Sequence, residues 1–600
     1  MIGQPTGGTY QSSSFTYGRS RYQAYFAEDS WQLNSRLTVT GGLRLESPGA
    51  YTETADRLAT FNPDLPNPLL AGRTNPETGK PFIGAFELVA SDTQPERSLR
   101  KNPLQVAPRI GAAYRITDAT VLRAGGGRFY VPSTTRFQDG PTNNPVNNRT
   151  NNIATSIDNN RTFFTDLSNP FPTGVDNFPG RDPSFQQVLL GGTATQFYRD
   201  EDGYPGRSLQ FNVALQHQFS NTFSAEVAYT GLRGTHLPNT LNINQLGREF
   251  IDRAANDTSV CSLTGNVVIP QGQPGYTSSQ RDTCYGAFLR QTVPNPLAGA
   301  VREGALSTPT VQRALLLVQF PQYTSANRQG YFGKSSYNAL QLRADKRFGA
   351  GGLVSANYTF SRNYGNVETV TGWLENSGQP AAGYQTNNLS TEMALSSFDA
   401  RHRLVVNYVL DLPFGEGKRF GSGATGVLGM LISGWTLNGV TTLQAGFPLG
   451  FTATPNLIGS GYGLRPNVDP NCDKKIDGSA LDRLNKWFNT SCFSVPNAGF
   501  VAADPSTNPG LRWQLGNEPR TDPDLRGQGV NNWNLAIAKR TRIGRGVDLT
   551  LRAEAFNLFN RVQFGPPNTQ ATTAANSTFG QVTTQVNQPR LMQLAFRLTF

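Results

Sequence analysis

The stretch Met592 to Phe600 reads Met-Gln-Leu-Ala-Phe-Arg-Leu-Thr-Phe, a strict alternation that puts Met592, Leu594, Phe596, Leu598 and Phe600 on one face. Gln593, Ala595, Arg597 and Thr599 fall on the other. Successive side chains of a strand point to opposite faces, so one face of this segment can meet hydrocarbon while the other meets water. A terminal strand of that kind needs a structure that pairs it, and a closed barrel supplies one.

The same period recurs along the chain. Val547, Leu549, Leu551, Ala553 and Ala555 oppose Asp548, Thr550, Arg552 and Glu554; Leu37, Val39, Leu43 and Leu45 oppose Thr38, Thr40, Arg44 and Glu46; Leu404, Val406, Tyr408 and Leu410 oppose Arg403, Asn407 and Asp411. No run of about 18 apolar residues exists, which excludes a membrane-spanning helix. A barrel keeps a polar average because only every second residue must face lipid. Charged residues at 16%, with 62 glycines and 39 prolines, fit strands joined by long polar loops.

Pairing the alternating runs across short turns predicts an all-β, transmembrane antiparallel β-barrel. The strands fall at 20–31 and 36–46, 107–116 and 119–130, 208–219 and 222–230, 336–348 and 353–362, 400–412 and 433–445, 530–541 and 546–557, and 590–600. Long loops are expected at about 47–106, 131–207, 231–335, 363–399, 446–529 and 558–589. Short turns are periplasmic and long loops extracellular in outer-membrane barrels. That parity excludes 448–453 as a further crossing. Thirteen strands is an odd number, whereas single-chain bacterial barrels use an even one, so a C-terminal portion of a barrel of about 22 strands is expected. The start, Met-Ile-Gly-Gln-Pro-Thr-Gly-Gly, lacks a basic start and apolar run, which for an exported barrel suggests a truncated chain. Tyr25, Trp31, Phe219, Phe223, Phe348, Tyr358, Trp533 and Phe559 sit near strand ends, as interfacial girdles do.

The net charge of +11 comes mostly from arginine and is spread along the chain, which argues against nucleic acid as a partner. Arg44, Arg109, Arg115, Arg343, Asp345, Arg403, Arg552, Glu554 and Arg597 are the candidate lumen-facing charges. They would contact a plug or passing solute, or simply hydrate the lumen. Cys261 with Cys284, and Cys472 with Cys492, each fall within one loop and fit no metal spacing. Loop-stapling disulfides are the favoured use, free or cross-loop thiols the alternative. His217, His236 and His402 share no ligand spacing. Gly125 to Gly127 continue into a strand rather than a helix, which excludes a phosphate loop. The acidic stretch Asp469, Asn471, Asp473 and Asp477 lacks an EF-hand's turn glycine, with Lys474 in its place, and has Ala480 where the glutamate belongs. No constellation points to catalysis, to a metal or to any cofactor, so no enzyme is expected.

Several strings are also familiar. Tyr25-Phe-Ala-Glu-Asp-Ser-Trp31, Arg36-Leu-Thr-Val-Thr-Gly-Gly-Leu-Arg-Leu-Glu46, Tyr229-Thr-Gly-Leu-Arg-Gly-Thr-His-Leu237, Trp487-Phe-Asn-Thr-Ser-Cys-Phe493, Glu554-Ala-Phe-Asn-Leu-Phe-Asn560 and the Phe600 ending resemble the barrel of TonB-dependent outer-membrane receptors, most closely the Oar-like type. The resemblance spans almost the whole chain. It implies an outer-membrane protein set in lipid, in which Leu594, Phe596, Leu598 and Phe600 form the signal read by the barrel-assembly machinery. It also implies an N-terminal plug and a box contacting the TonB complex; neither is recognisable here, and they would lie upstream. The function expected is a receptor that binds an unknown extracellular ligand at its loops and passes it across the outer membrane with energy from the inner membrane. The alternatives are an adhesion or structural barrel without transport, and a soluble all-β carbohydrate-binding or propeller protein. The Asn-rich stretch 142–160 would suit glycans and a basic lumen anionic chelates; the ligand itself is not readable.

Overall fold

A computed structural model describes the chain except residues 1–2, 4, 6, 100–102, 132–145, 154–164, 173, 176, 183–184, 197–204, 302–304, 350, 368–384, 386–387, 460, 502, 505 and 545. Thirteen strands run in chain order through one large antiparallel sheet. They are β1 (Tyr22–Gln32), β2 (Leu37–Pro48), β3 (Gln105–Thr117), β4 (Thr120–Tyr130), β5 (Arg207–Ser220), β6 (Phe223–Asn242) and β7 (Ser325–Arg347). β8 (Gly352–Gly365), β9 (His402–Asp411), β10 (Trp435–Gln444), β11 (Val530–Gly544), β12 (Val547–Phe556) and β13 (Leu591–Thr599) complete the path. Thr193–Gln196 adds a parallel stretch beside β7, and Ala394–Leu395 a short one beside β8. Among the described residues β1 pairs only with β2 and β13 only with β12, so the sheet has two open edges.

Every long connection leaves from one end of the sheet. At the other end the strands turn within a few residues, except between β9 and β10, where the link carries the helix Gly426–Ile432. Gly125 to Gly127 lie inside β4 and are paired on both sides, Gly125 opposite both Gly111 and Asn212. Thr452–Thr454 is a short strand beside Gln570–Thr572 within the loops.

The expected loop 231–335 is shorter than the alternation suggests. β6 continues to Asn242 and β7 starts at Ser325, and the two stay paired through shifts between Gly234 and Leu237 and between Leu237 and Asn239. His236 adopts a positive φ of 53° at the first shift. A bulge of this kind breaks the period of two without ending the strand, which is why the pattern reads as a loop. Of the Asn-rich stretch, 142–145 and 154–160 lie outside the described residues, while Asn148–Asn152 pairs with Thr9–Ser13.

The densest burial is not between the strands but in the loops, which are not the featureless polar connections that composition suggests. Phe61, Phe86, Phe320 and Tyr323 are almost fully buried in one cluster that draws on three successive loops. Their rings meet edge-on, Phe61 lying 4.9 Å from Phe320 and 5.3 Å from Tyr323. Gly84, at φ 92°, faces this cluster, and a Cβ there would fall 2.6 Å from the Phe61 ring. A second cluster joins Leu246, Ile251 and Leu289 to Tyr462 and Trp513 of a later loop. A third packs Phe451, Phe488 and Phe493 against Phe579 from the last long loop.

Candidate functional site

Residues directly opposed in an antiparallel pair lie on the same face, so the register can be followed from strand to strand. From Arg44 it leads through Ala107 to Arg109, which opposes Gly127. β4 to β7 continue it: Arg123 opposes Ala214, Gln216 opposes Glu226, and Glu226 opposes Arg343. Arg343 leads to Asn357 and Thr359 to Arg403; Arg403 opposes Gln444, Gln444 opposes Val530, Ala538 of that same strand opposes Arg552, and Arg552 opposes Ala595, while Thr550 opposes Arg597. Arg44, Arg109, Arg115, Arg343, Asp345, Arg403, Arg552, Glu554 and Arg597 thus share one face. The opposite face carries Leu43, Ile110, Leu215, Val227, Leu342, Leu404, Leu551 and Phe596.

On the arginine face, charges two residues apart on one strand pair along it. Arg44 Nε lies 2.5 Å from Glu46 Oε1 and Arg343 Nε 2.8 Å from Asp345 Oδ2; Arg552 pairs with Glu554 in the same way. The spacing of about 6.6 Å between such residues is what a folded arginine side chain spans. Across strands, Arg123 Nη1 reaches Gln216 at 2.5 Å and stands 4.0 Å from Glu226. Arg540 meets Asp548 at 2.6 Å. Arg109 lies over the Phe129 ring at 4.8 Å, and Arg115 bonds the Ser35 carbonyl. Arg403 and Arg597 make no ion pair among the described residues. At the turn end a polar hollow of about 390 Å³ is lined by Asp118, Gln216, Gln218, Arg343, Asp345 and Arg347. Arg123, Gln216 and Glu226 complete this band and are absent from the expected set; the register with Arg343 finds them, and a single strand's pattern does not.

Above the opposite end of the sheet, buried ion pairs hold the loops, two joining the loop after β8 to the loop after β10 and one lying within the latter. Arg465 holds Glu392, Arg526 holds Asp399 at 2.6 Å and Lys474 holds Asp522 at 2.6 Å, the three carboxylate side chains being sealed from solvent. Asp282 accepts from Arg290 at 3.0 Å and from Trp513 Nε1 at 2.9 Å, and burial pushes its carboxyl up. Glu518 is pushed up to about 8, chiefly by burial and then by Asp522 beside it. Disulfides join Cys261 to Cys284 and Cys472 to Cys492. Asp469 and Asp473 accept the N–H groups of Asn471 and Lys475 in their own turns. His217, His236 and His402 lie in three separate places, His217 on Thr120 and His402 on Tyr358, both at 2.8 Å.

Residues 1–593 match the outer membrane β-barrel domain family. The chain belongs to that family. Membership places it in the outer membrane, with its alternating strands as the spanning elements. No curated protein matches the chain in sequence. Among solved structures, this barrel-family chain is similar to the outer membrane transporter YddB from Escherichia coli at 8% identity, over 97% of this chain and 55% of that one, with a TM-score of 0.41. It is similar to the ferric yersiniabactin uptake receptor FyuA from Yersinia pestis at 11% identity, over 98% and 46%, with a TM-score of 0.36. The ferric citrate transporter FecA matches at 11% identity, over 97% and 45%, with a TM-score of 0.35. The chain spans about half the length of these structures.

Proposed function

We propose that the chain is the C-terminal portion of a TonB-dependent receptor barrel of the Oar-like type, which takes a ligand at its extracellular loops and passes it inward along an arginine-lined lumen. The observation that carries this reading is the loop layer: six loops, joined by three aromatic-rich clusters and by buried ion pairs, stand over the end of a sheet whose one face is charged. Described loop residues held in this way before a ligand arrives lose less conformational entropy on binding it. The apolar face meets lipid, and the arginine face meets the plug or solute.

Two open edges cannot stand in hydrocarbon, where unpaired N–H and C=O groups each cost several kcal/mol. Further strands from outside this chain would pair β1 and β13 and bring the total to about 22. In this reading Leu594, Phe596, Leu598 and Phe600 engage the barrel-assembly machinery, and an upstream plug contacts the TonB complex. No residue is given a catalytic role.

The test is expression of the gene with its native upstream region, followed by gels of the outer-membrane fraction with and without boiling and by cross-linking to TonB in cells. A boiling-dependent shift with a TonB adduct supports the transporter. A shift without an adduct leaves a barrel but sinks energised transport.

A further inference from the structure

The link between β9 and β10 is unlike the other turns at its end of the sheet. Its helix, Gly-Val-Leu-Gly-Met-Leu-Ile, carries no polar side chain, yet Val427, Leu428 and Leu431 are 74%, 61% and 59% exposed. The helix lies against the apolar face: Trp435 Nε1 donates to the Leu431 carbonyl at 2.9 Å, and Trp435 opposes Lys539 in the register. Between helix and strands is an open depression of about 380 Å³ lined by Leu412, Phe414, Phe420, Leu431, Trp435 and Ile537. In water such a surface would be costly, since exposed apolar patches of this kind mark contact with a partner or a membrane.

The surrounding charges say which partner. Lys539 is on the apolar face, and its ammonium donates to the carbonyls of Met430 and Ser433 at 2.5 and 2.9 Å while lying 5.5 Å from the Trp435 ring. Lys539 is thus nearly buried, its ammonium taken up by the backbone at the end of the helix. At the same end Arg419 stands 5.5 Å from the Phe420 ring, beside the depression's lining. An open apolar depression continuous with a lipid-facing strand surface and flanked by the exposed Arg419 suits a glycerophospholipid, acyl chain in the depression and phosphate at the arginine.

We infer that the segment Leu412–Trp435 is a phospholipid-binding anchor in the membrane leaflet at the turn end, holding one acyl chain between the helix Gly426–Ile432 and β10 and β11. The inference rests on the facing proposed above. The protein, purified from outer membranes, is reconstituted with phosphatidylethanolamine carrying a diazirine on one acyl chain, irradiated, and its labelled residues mapped. The expected result is labelling within 412–435 several-fold above that of Leu551 and Phe596, and a loss of the excess in Ile537→Trp, which fills the depression. Uniform labelling of all apolar-face residues, or an unchanged excess in Ile537→Trp, overturns the anchor while keeping the lipid-facing reading. Absence of label from Leu551 and Phe596 as well as from 412–435 overturns both.

Discussion

Arg465 lays both terminal nitrogens on Glu392, Nη1 to Oε2 at 2.8 Å and Nη2 to Oε1 at 3.3 Å, joining residues 73 apart in sequence with both side chains almost sealed from solvent. A fork-to-fork pair of this kind fixes direction as well as distance. It holds the loop after β8 to the loop after β10.

Removing one partner leaves a buried charge. Arg465→Met is expected to destabilise this part of the loop layer by about 3–5 kcal/mol, and adding Glu392→Leu to recover most of that loss. Hydrogen exchange of residues 388–399 and 461–470 reads the effect; equal protection in wild type and single variant would show that the pair holds nothing.

Glu518 gives the layer a pH dependence. Its carboxyl is held at about 8 when folded, against an ordinary value near 4.5, so the folded state keeps a proton that the unfolded one releases. The contribution of this group to stability is therefore fullest below the ordinary value, declines as pH rises toward 8, and levels off above it. Glu518→Gln should flatten that decline and stabilise the layer at pH 8. Thermal unfolding followed between pH 5 and 9 checks it, and identical slopes in the two proteins would refute it.

Leu551 and Arg552 are neighbours on opposite faces of β12. Leu551→Arg puts a cation in hydrocarbon at about 2–4 kcal/mol if near the midplane, whereas Arg552→Leu only breaks the pair with Glu554. The first should sharply lower the yield of heat-modifiable barrel and the second leave it nearly intact. Equal losses would remove the facing assigned to this strand.

The disulfides close loops of sequence separation 23 and 20. Replacing Cys261 and Cys284 together by serine should cost the loop layer about 2–4 kcal/mol and leave the sheet unaffected. Faster proteolysis between 243 and 324 with an unchanged boiling shift is the expected pattern; loss of the shift would tie the bridge to barrel assembly instead.

The spanning strands were legible because each carries its facing in its own order: Leu549, Leu551 and Ala553 against Thr550, Arg552 and Glu554 need no knowledge of any neighbour. The layer above them was not. Phe61, Phe320 and Tyr323 come from two distant loops and meet only after the strands between them have paired, so no local period marks them as core. The same holds for Arg123, Gln216 and Glu226, which come from three strands and become a band only through register. Where a bulge intervened, as at His236, the local code failed even within a strand.

The cluster around Phe61 bears on what a cell surface can change. In the facing proposed above these loops lie outside the cell, and surface loops vary more in sequence than the elements they connect. Here a substitution at Phe61 must be accommodated by Phe86, Phe320 and Tyr323 at once, across separate loops. Sequence change would thus be confined to exposed loop positions, while the rings beneath constrain one another.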